Sequence, residues 1–178
     1  MPKIKIDFVT NSSSSAFVVL FPFIVNDLDQ VLQFIPEEKK AEQVYNDILT
    51  QNPNPPRMGT KAARDTIVRE LTDGYFEVPG GKYNYDYHSE EKREKQFCEK
   101  NAITQEEFDA DFSLRHAFYE EQRIFRTEEC QKYVEEYSKG KEGYVYVFEY
   151  GDESGEFFSE MEHGYTFRNL THLQISHH

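Results

Sequence analysis

Apolar and polar positions alternate at the start of the chain, Ile4, Ile6 and Phe8 against Lys3, Lys5 and Asp7, which is the period of a strand with one buried face. A second apolar run, Ala16 to Val25, predicts another strand, joined to the first by the polar turn Thr10 to Ser15. Asn26 and Asp27 offer caps for a short helical turn. Pro36 suits the first position of the next helix, where Glu37 and Glu38 complement the dipole. Ala41, Val44, Tyr45, Ile48 and Leu49 recur at helical spacing as its apolar stripe. The proline-rich stretch Asn52 to Gly59 predicts a loop; after it, Thr60 caps a helix with Ile67, Val68 and Leu71 inward, and Gly74 ends it.

The pattern then changes. Tyr75 to Val78, Pro79-Gly80-Gly81 and Lys82 to His88 predict a hairpin with Tyr83, Tyr85 and Tyr87 on one face. Glu90 to Lys100 is charged except at Phe97 and Cys98, the pattern of a solvated helix with a narrow contact. Thr104 and Glu107 have capping-box spacing and open a helical region through Tyr137, with Phe108, Phe112, Phe118, Tyr119 and Phe125 available for packing and a break expected at Thr127. Lys139 and Gly140 close it. Tyr144, Tyr146, Phe148 and Tyr150 alternate with Val145, Val147 and Glu149 as a strand, residues 151–155 form a turn, Glu156 to Met161 return, and His172 to His177 form a last strand with Leu173 and Ile175 on one face. This order predicts an α+β fold: a mixed or antiparallel sheet of N- and C-terminal strands, packed with helices from the middle of the chain. We expect one domain over 1–178, with 90–140 as a helical sub-lobe.

Composition adds 12 Tyr and 15 Phe, enough apolar surface for a core, and a formal charge of −13. The charge is lopsided: residues 1–89 carry a net −3 and residues 90–178 a net −10. Between Glu149 and Glu162 six acids, Glu149, Asp152, Glu153, Glu156, Glu160 and Glu162, occur without a Lys or Arg, interleaved with Tyr150, Phe157 and Phe158. Such a surface repels nucleic acid and attracts basic grooves. Glu106, Glu107, Asp109, Asp111, Glu120 and Glu121 form a second acidic region, relieved mainly by Arg115. No apolar run reaches the length of a membrane span, and the N-terminus lacks the apolar block of a signal peptide, so the expectation is a cytoplasmic protein without membrane contact. Cys98 and Cys130 then read as reduced, packed thiols, and the sequons at Asn11 and Asn169 are discounted.

Candidate chemistry is sparse. Of the six histidines, His163, His172, His177 and His178 fall near the C-terminus beside Glu160 and Glu162. Imidazole and carboxylate suit zinc, so the metal candidates are His163, His172, His177, His178 and Glu162, with structural zinc as the expected cofactor. The hydroxyl cluster Ser12 to Ser15 reads as a turn rather than a nucleophile, since no base can be assigned to it. Asp86 with His88 is a weak pair, and His116 reads as helix surface. Gly59-Thr60-Lys61 lacks the first glycine and the order of a phosphate-binding loop.

The run KIKIDFVTNSSSSAF, positions 3–17, resembles the opening of a group of small proteins of Gram-positive bacteria and their phages; Glu162-His163 and Ile175 to His178 resemble the far end of some of them. The resemblance implies a phage or mobile-element origin and carries over no catalytic residue. With the charge pattern it gives the leading expectation: a non-enzymatic inhibitor of anti-CRISPR type that blocks a basic nucleic-acid-binding groove of a host-defence effector. Glu149, Asp152, Glu153, Glu156, Phe157, Phe158 and Glu160 are its expected contacts. The alternative is a metal-dependent hydrolase or nuclease using the C-terminal His and Glu ligands.

Overall fold

The computed structural model describes residues 14–151 and 166–177. The strand expected at Ile4 to Phe8 and the return strand at 156–161 lie outside the described residues. The fold is α+β. Its elements are β1 (Ser14–Phe21), α1 (Leu28–Leu32), α2 (Glu38–Gln51), α3 (Lys61–Asp73), α4 (Tyr87–Asn101), α5 (Gln105–Ala110), α6 (Phe112–Tyr137), β2 (Tyr144–Gly151) and β3 (Thr171–His177). The chain divides into two compact units, one made of the described residues in 1–63 and 142–178, the other of residues 64–141.

The first unit is built on a three-stranded antiparallel sheet in the order β2-β1-β3. Facing residues of paired strands share a side of the sheet, so Phe17 lies across from Phe148 and Val19 across from Tyr146. These side chains, with Phe21, Tyr150 and Phe167, form a buried cluster with Val31 of α1 and Ala41, Val44 and Ile48 of α2. Tyr146, Phe148 and Tyr150 stack along one face of β2, with ring planes within 9° and 3° of parallel. Phe148 and Phe17 each meet Phe167, at 5.3 and 5.5 Å between ring centres. The opposite side of β1 is buried too, at Ala16, Val18 and Leu20, which is why this strand reads as a continuous apolar run.

Local signals of the sequence reappear as geometry. Asp27 caps α1 by accepting from the Gln30 amide at 2.9 Å. In α2 the stripe is buried at Ala41, Val44 and Ile48, but Leu49 is 57% exposed, and Pro36 lies before the cap, Glu37. The loop after α2 protects the outer edge of β2. The Asn52 side chain donates to the Val147 carbonyl at 2.7 Å and accepts from its amide at 2.8 Å, as a neighbouring strand would. Pro56 O accepts from the Val145 amide and Gly143 O from the Met58 amide, so the edge is satisfied by a proline-rich segment.

The second unit is helical. Three aromatic rings, Phe97 of α4, Phe108 of α5 and Phe118 of α6, meet edge to face with centres 5.5 to 5.9 Å apart. Thr104 and Glu107 form the expected capping box. The break in the long helical region falls at Asp111, whose side chain accepts from Ser113 N and starts α6; α6 runs unbroken through Thr127, contrary to expectation. Thr127 is accommodated because its hydroxyl donates to the Arg123 carbonyl one turn earlier.

The expected hairpin at 75–88 is not formed. The chain reverses at Val78 to Gly81 through a 2.7 Å backbone bond, but no ladder follows, and Tyr87 and His88 open α4 behind the cap Asp86. Side-chain bonds replace the ladder: Glu129 of α6 accepts from the Lys82 and Tyr83 amides at 2.7 and 3.1 Å. Arg126 donates to the carbonyls of Thr72 and Gly74 at the end of α3 and lies over the rings of Tyr83 and Tyr85. Tyr83 and Tyr85 remain neighbours at 5.0 Å, whereas Tyr87 is exposed on α4 and does not share their face.

Candidate functional site

Among the expected metal ligands, His163, Glu162 and His178 lie outside the described residues, and His177 is placed through its backbone pairing with Ser14. His172 is exposed on β3, with Nδ1 3.0 Å from the Leu170 carbonyl and its ring 6.3 Å from that of Phe167. Among the described residues no three His, Cys, Asp or Glu side chains are grouped to hold a metal ion. Cys98 and Cys130 are buried free thiols, both pushed up first of all by burial, so neither is disposed to act as a thiolate. The Asp86 carboxylate accepts from Ser89 as a helix cap, and His88 pairs instead with Glu91, at 3.7 Å.

Of the expected partner contacts, Asp152, Glu153, Glu156, Phe157, Phe158 and Glu160 lie outside the described residues. Glu149 is exposed on β2, where its amide donates to the Gln51 side chain at 3.3 Å.

The second acidic region has the geometry of a surface site. Phe112 opens α6 and is 72% exposed, and Tyr119, two turns on, is 53% exposed; both read as packing residues in the sequence. A 26-residue helix presents every side, and its contact with α4 and α5 is carried by Phe118, next in sequence to Tyr119, so position in the aromatic run could not sort them. Between Phe112 and Tyr119 lies a cleft of about 240 Å³ bordered by Arg115, His116 and Glu120. On the other side of Phe112 a second concavity is bordered by Glu107, Asp111, Ile103 and Leu114. Phe112 is thus a projecting ring between two hollows. The Arg115 guanidinium stands 6.0 Å from its centre.

Negative charge is concentrated next to this patch. Burial, then the charges of Glu90, Asp109 and Glu91, hold the Glu94 carboxyl above the usual range. The Tyr119 hydroxyl is pushed up by burial and then by Glu90 and Glu94, so the carboxylates of α4 act directly on the exposed aromatic of α6. Tyr87 is raised first by its hydrogen bond to Glu91 and then by that residue's charge. The arrangement offers aromatic surface inside a negative potential, and it favours a cationic counterpart. Among the described residues no helix is long and apolar enough to cross a membrane. No protein-family profile, curated protein or solved structure matches the chain.

Proposed function

We propose that the protein is a non-enzymatic binding protein, a phage inhibitor of anti-CRISPR type, that occupies a basic nucleic-acid-binding groove of a host-defence effector. One observation carries the reading: Phe112 and Tyr119 stand exposed on a helical face where Glu90, Glu91, Glu94 and Asp109 already repel one another. Free in water, such a face carries both exposed aromatic area and like charge that Arg115 only partly offsets. A groove lined by Lys and Arg relieves both at once, by burying the rings as anchors and by supplying the missing positive charge. The same carboxylates replace nucleic-acid phosphates as the groove's counter-charges, so inhibition is competitive. The phage attribution rests on the N-terminal resemblance.

The test is displacement of target DNA from guide-loaded effector complexes of several types, followed by gel mobility. The protein is expected to prevent DNA loading on at least one of them, and the paired reversal Asp109→Lys with Glu120→Lys to abolish the effect while leaving the thermal transition in place. Inhibition that survives the reversal would assign the contact to another surface.

A further inference from the structure

A separate cleft of the helical unit, about 410 Å³, has the opposite character. Lys82, Arg93 and Lys100 border it against one carboxylate, Glu121, over the rings of Phe97 and Phe125. Lys100 is committed to Glu121, at 3.0 and 2.9 Å from its two oxygens. The Lys82 ammonium is exposed and meets no partner among the described residues. Arg93 lies 4.3 Å over the Tyr83 ring, and its Nε is buried with no acceptor among the described residues. The same ring is faced by Arg126, 5.3 Å from its centre, whose Nε is likewise without an acceptor. Two guanidinium groups face one tyrosine in a chain of net charge −13, and the Glu129 carboxylate beside that loop is engaged by the Lys82 and Tyr83 amides.

We infer that this cleft binds a small phosphate monoester carried on a planar ring, of the nucleoside monophosphate class. Three cations against one carboxylate match a dianion, the form a phosphate monoester takes above about pH 6. The Arg93 guanidinium at the border of the cleft can present paired donors to one oxyanion, and Lys82 adds a point charge. Phe97 and Phe125 supply an apolar floor for the ring, and the volume falls in the range of small-ligand sites.

The full chain is titrated calorimetrically with adenosine monophosphate at about pH 7.5, where the phosphate is doubly charged, with inorganic phosphate and adenosine as separate arms. The nucleotide is expected to bind saturably with Kd below about 1 mM, and both partial ligands at least about tenfold more weakly, a difference of about 1.4 kcal/mol. Lys82→Glu, at an exposed position outside the tyrosine stack, is expected to weaken nucleotide binding by a similar factor with the thermal transition unchanged. Arg93→Lys is expected to do the same; if it unfolds the helical unit, Lys82→Glu decides alone. Inorganic phosphate binding as tightly as the nucleotide would mean an adventitious ion only and would overturn the assignment. Absence of saturable binding, or binding that Lys82→Glu leaves unchanged, would overturn it as well.

Discussion

Asp47 holds its carboxylate against the buried hydroxyl of Tyr150, which donates to Oδ2 at 2.8 Å, while the Gln43 amide donates to Oδ1 at 3.1 Å. Burial raises the Asp47 carboxyl, and the two hydrogen bonds only partly offset it. A carboxyl raised in the folded state binds its proton more tightly there than when unfolded, so its contribution to stability falls as pH rises from about 4 through the folded value. Asp47→Asn keeps an acceptor for Tyr150 and removes the titration. Its Tm relative to the natural protein is therefore expected to improve as pH rises from about 4 through the folded value; parallel Tm curves for the two proteins would refute the linkage. Asn52 presents a second residue-scale case, because its side chain alone satisfies both backbone groups of Val147. Asn52→Ala leaves them without these partners and is expected to cost about 1–3 kcal/mol in denaturant unfolding, with faster hydrogen exchange at the Val147 amide.

At the scale of elements, the helical unit depends on a few side chains that join segments distant in sequence. Phe118 is fully buried between Phe97 and Phe108, so Phe118→Ala is expected to cost about 3–5 kcal/mol and to loosen α4 and α5 before α6, measured by hydrogen exchange. Arg126 ties the end of α3 to Tyr83 and Tyr85. Arg126→Lys keeps the charge and loses the planar fork, with an expected loss of about 1–3 kcal/mol; an unchanged transition would show that charge alone matters. Elements with a local cause were legible in the sequence. The β2 alternation, the Thr104–Glu107 box, the narrow Phe97–Cys98 contact and the Asp27 cap are each written within a few residues. The expected hairpin does not form because Pro-Gly-Gly reverses the chain but the following segment is held by Glu129 and Arg126, more than 40 positions away, and no short window carries that information. The break falls at Asp111 and not at Thr127 for a related reason: Thr127 is only an indifferent helix former, whereas the Asp111 side chain caps a new helix. The candidate surface was half legible: its carboxylates were evident as a charge cluster, but which aromatics face water depends on how α6 rolls against α4 and α5.

For the whole molecule, the net charge of −13 implies a long-range attraction to any basic groove that weakens with ionic strength, and a short-range component from the aromatic anchors that does not. The two are separable because they sit on different side chains. Phe112→Ala removes an anchor without altering charge, so it is expected to accelerate dissociation by about tenfold or more while leaving association and its salt dependence nearly intact. The most direct measurement is the salt dependence of affinity for a nucleic-acid-binding effector that scores in the DNA-loading test proposed above, taken between about 50 and 200 mM salt for the natural chain and for Asp109→Lys with Glu120→Lys. Affinity that falls steeply with salt in the natural chain, with the slope largely lost in the variant, is the predicted result. Affinity indifferent to salt, or the same slope in both proteins, would contradict capture of a basic groove by this face.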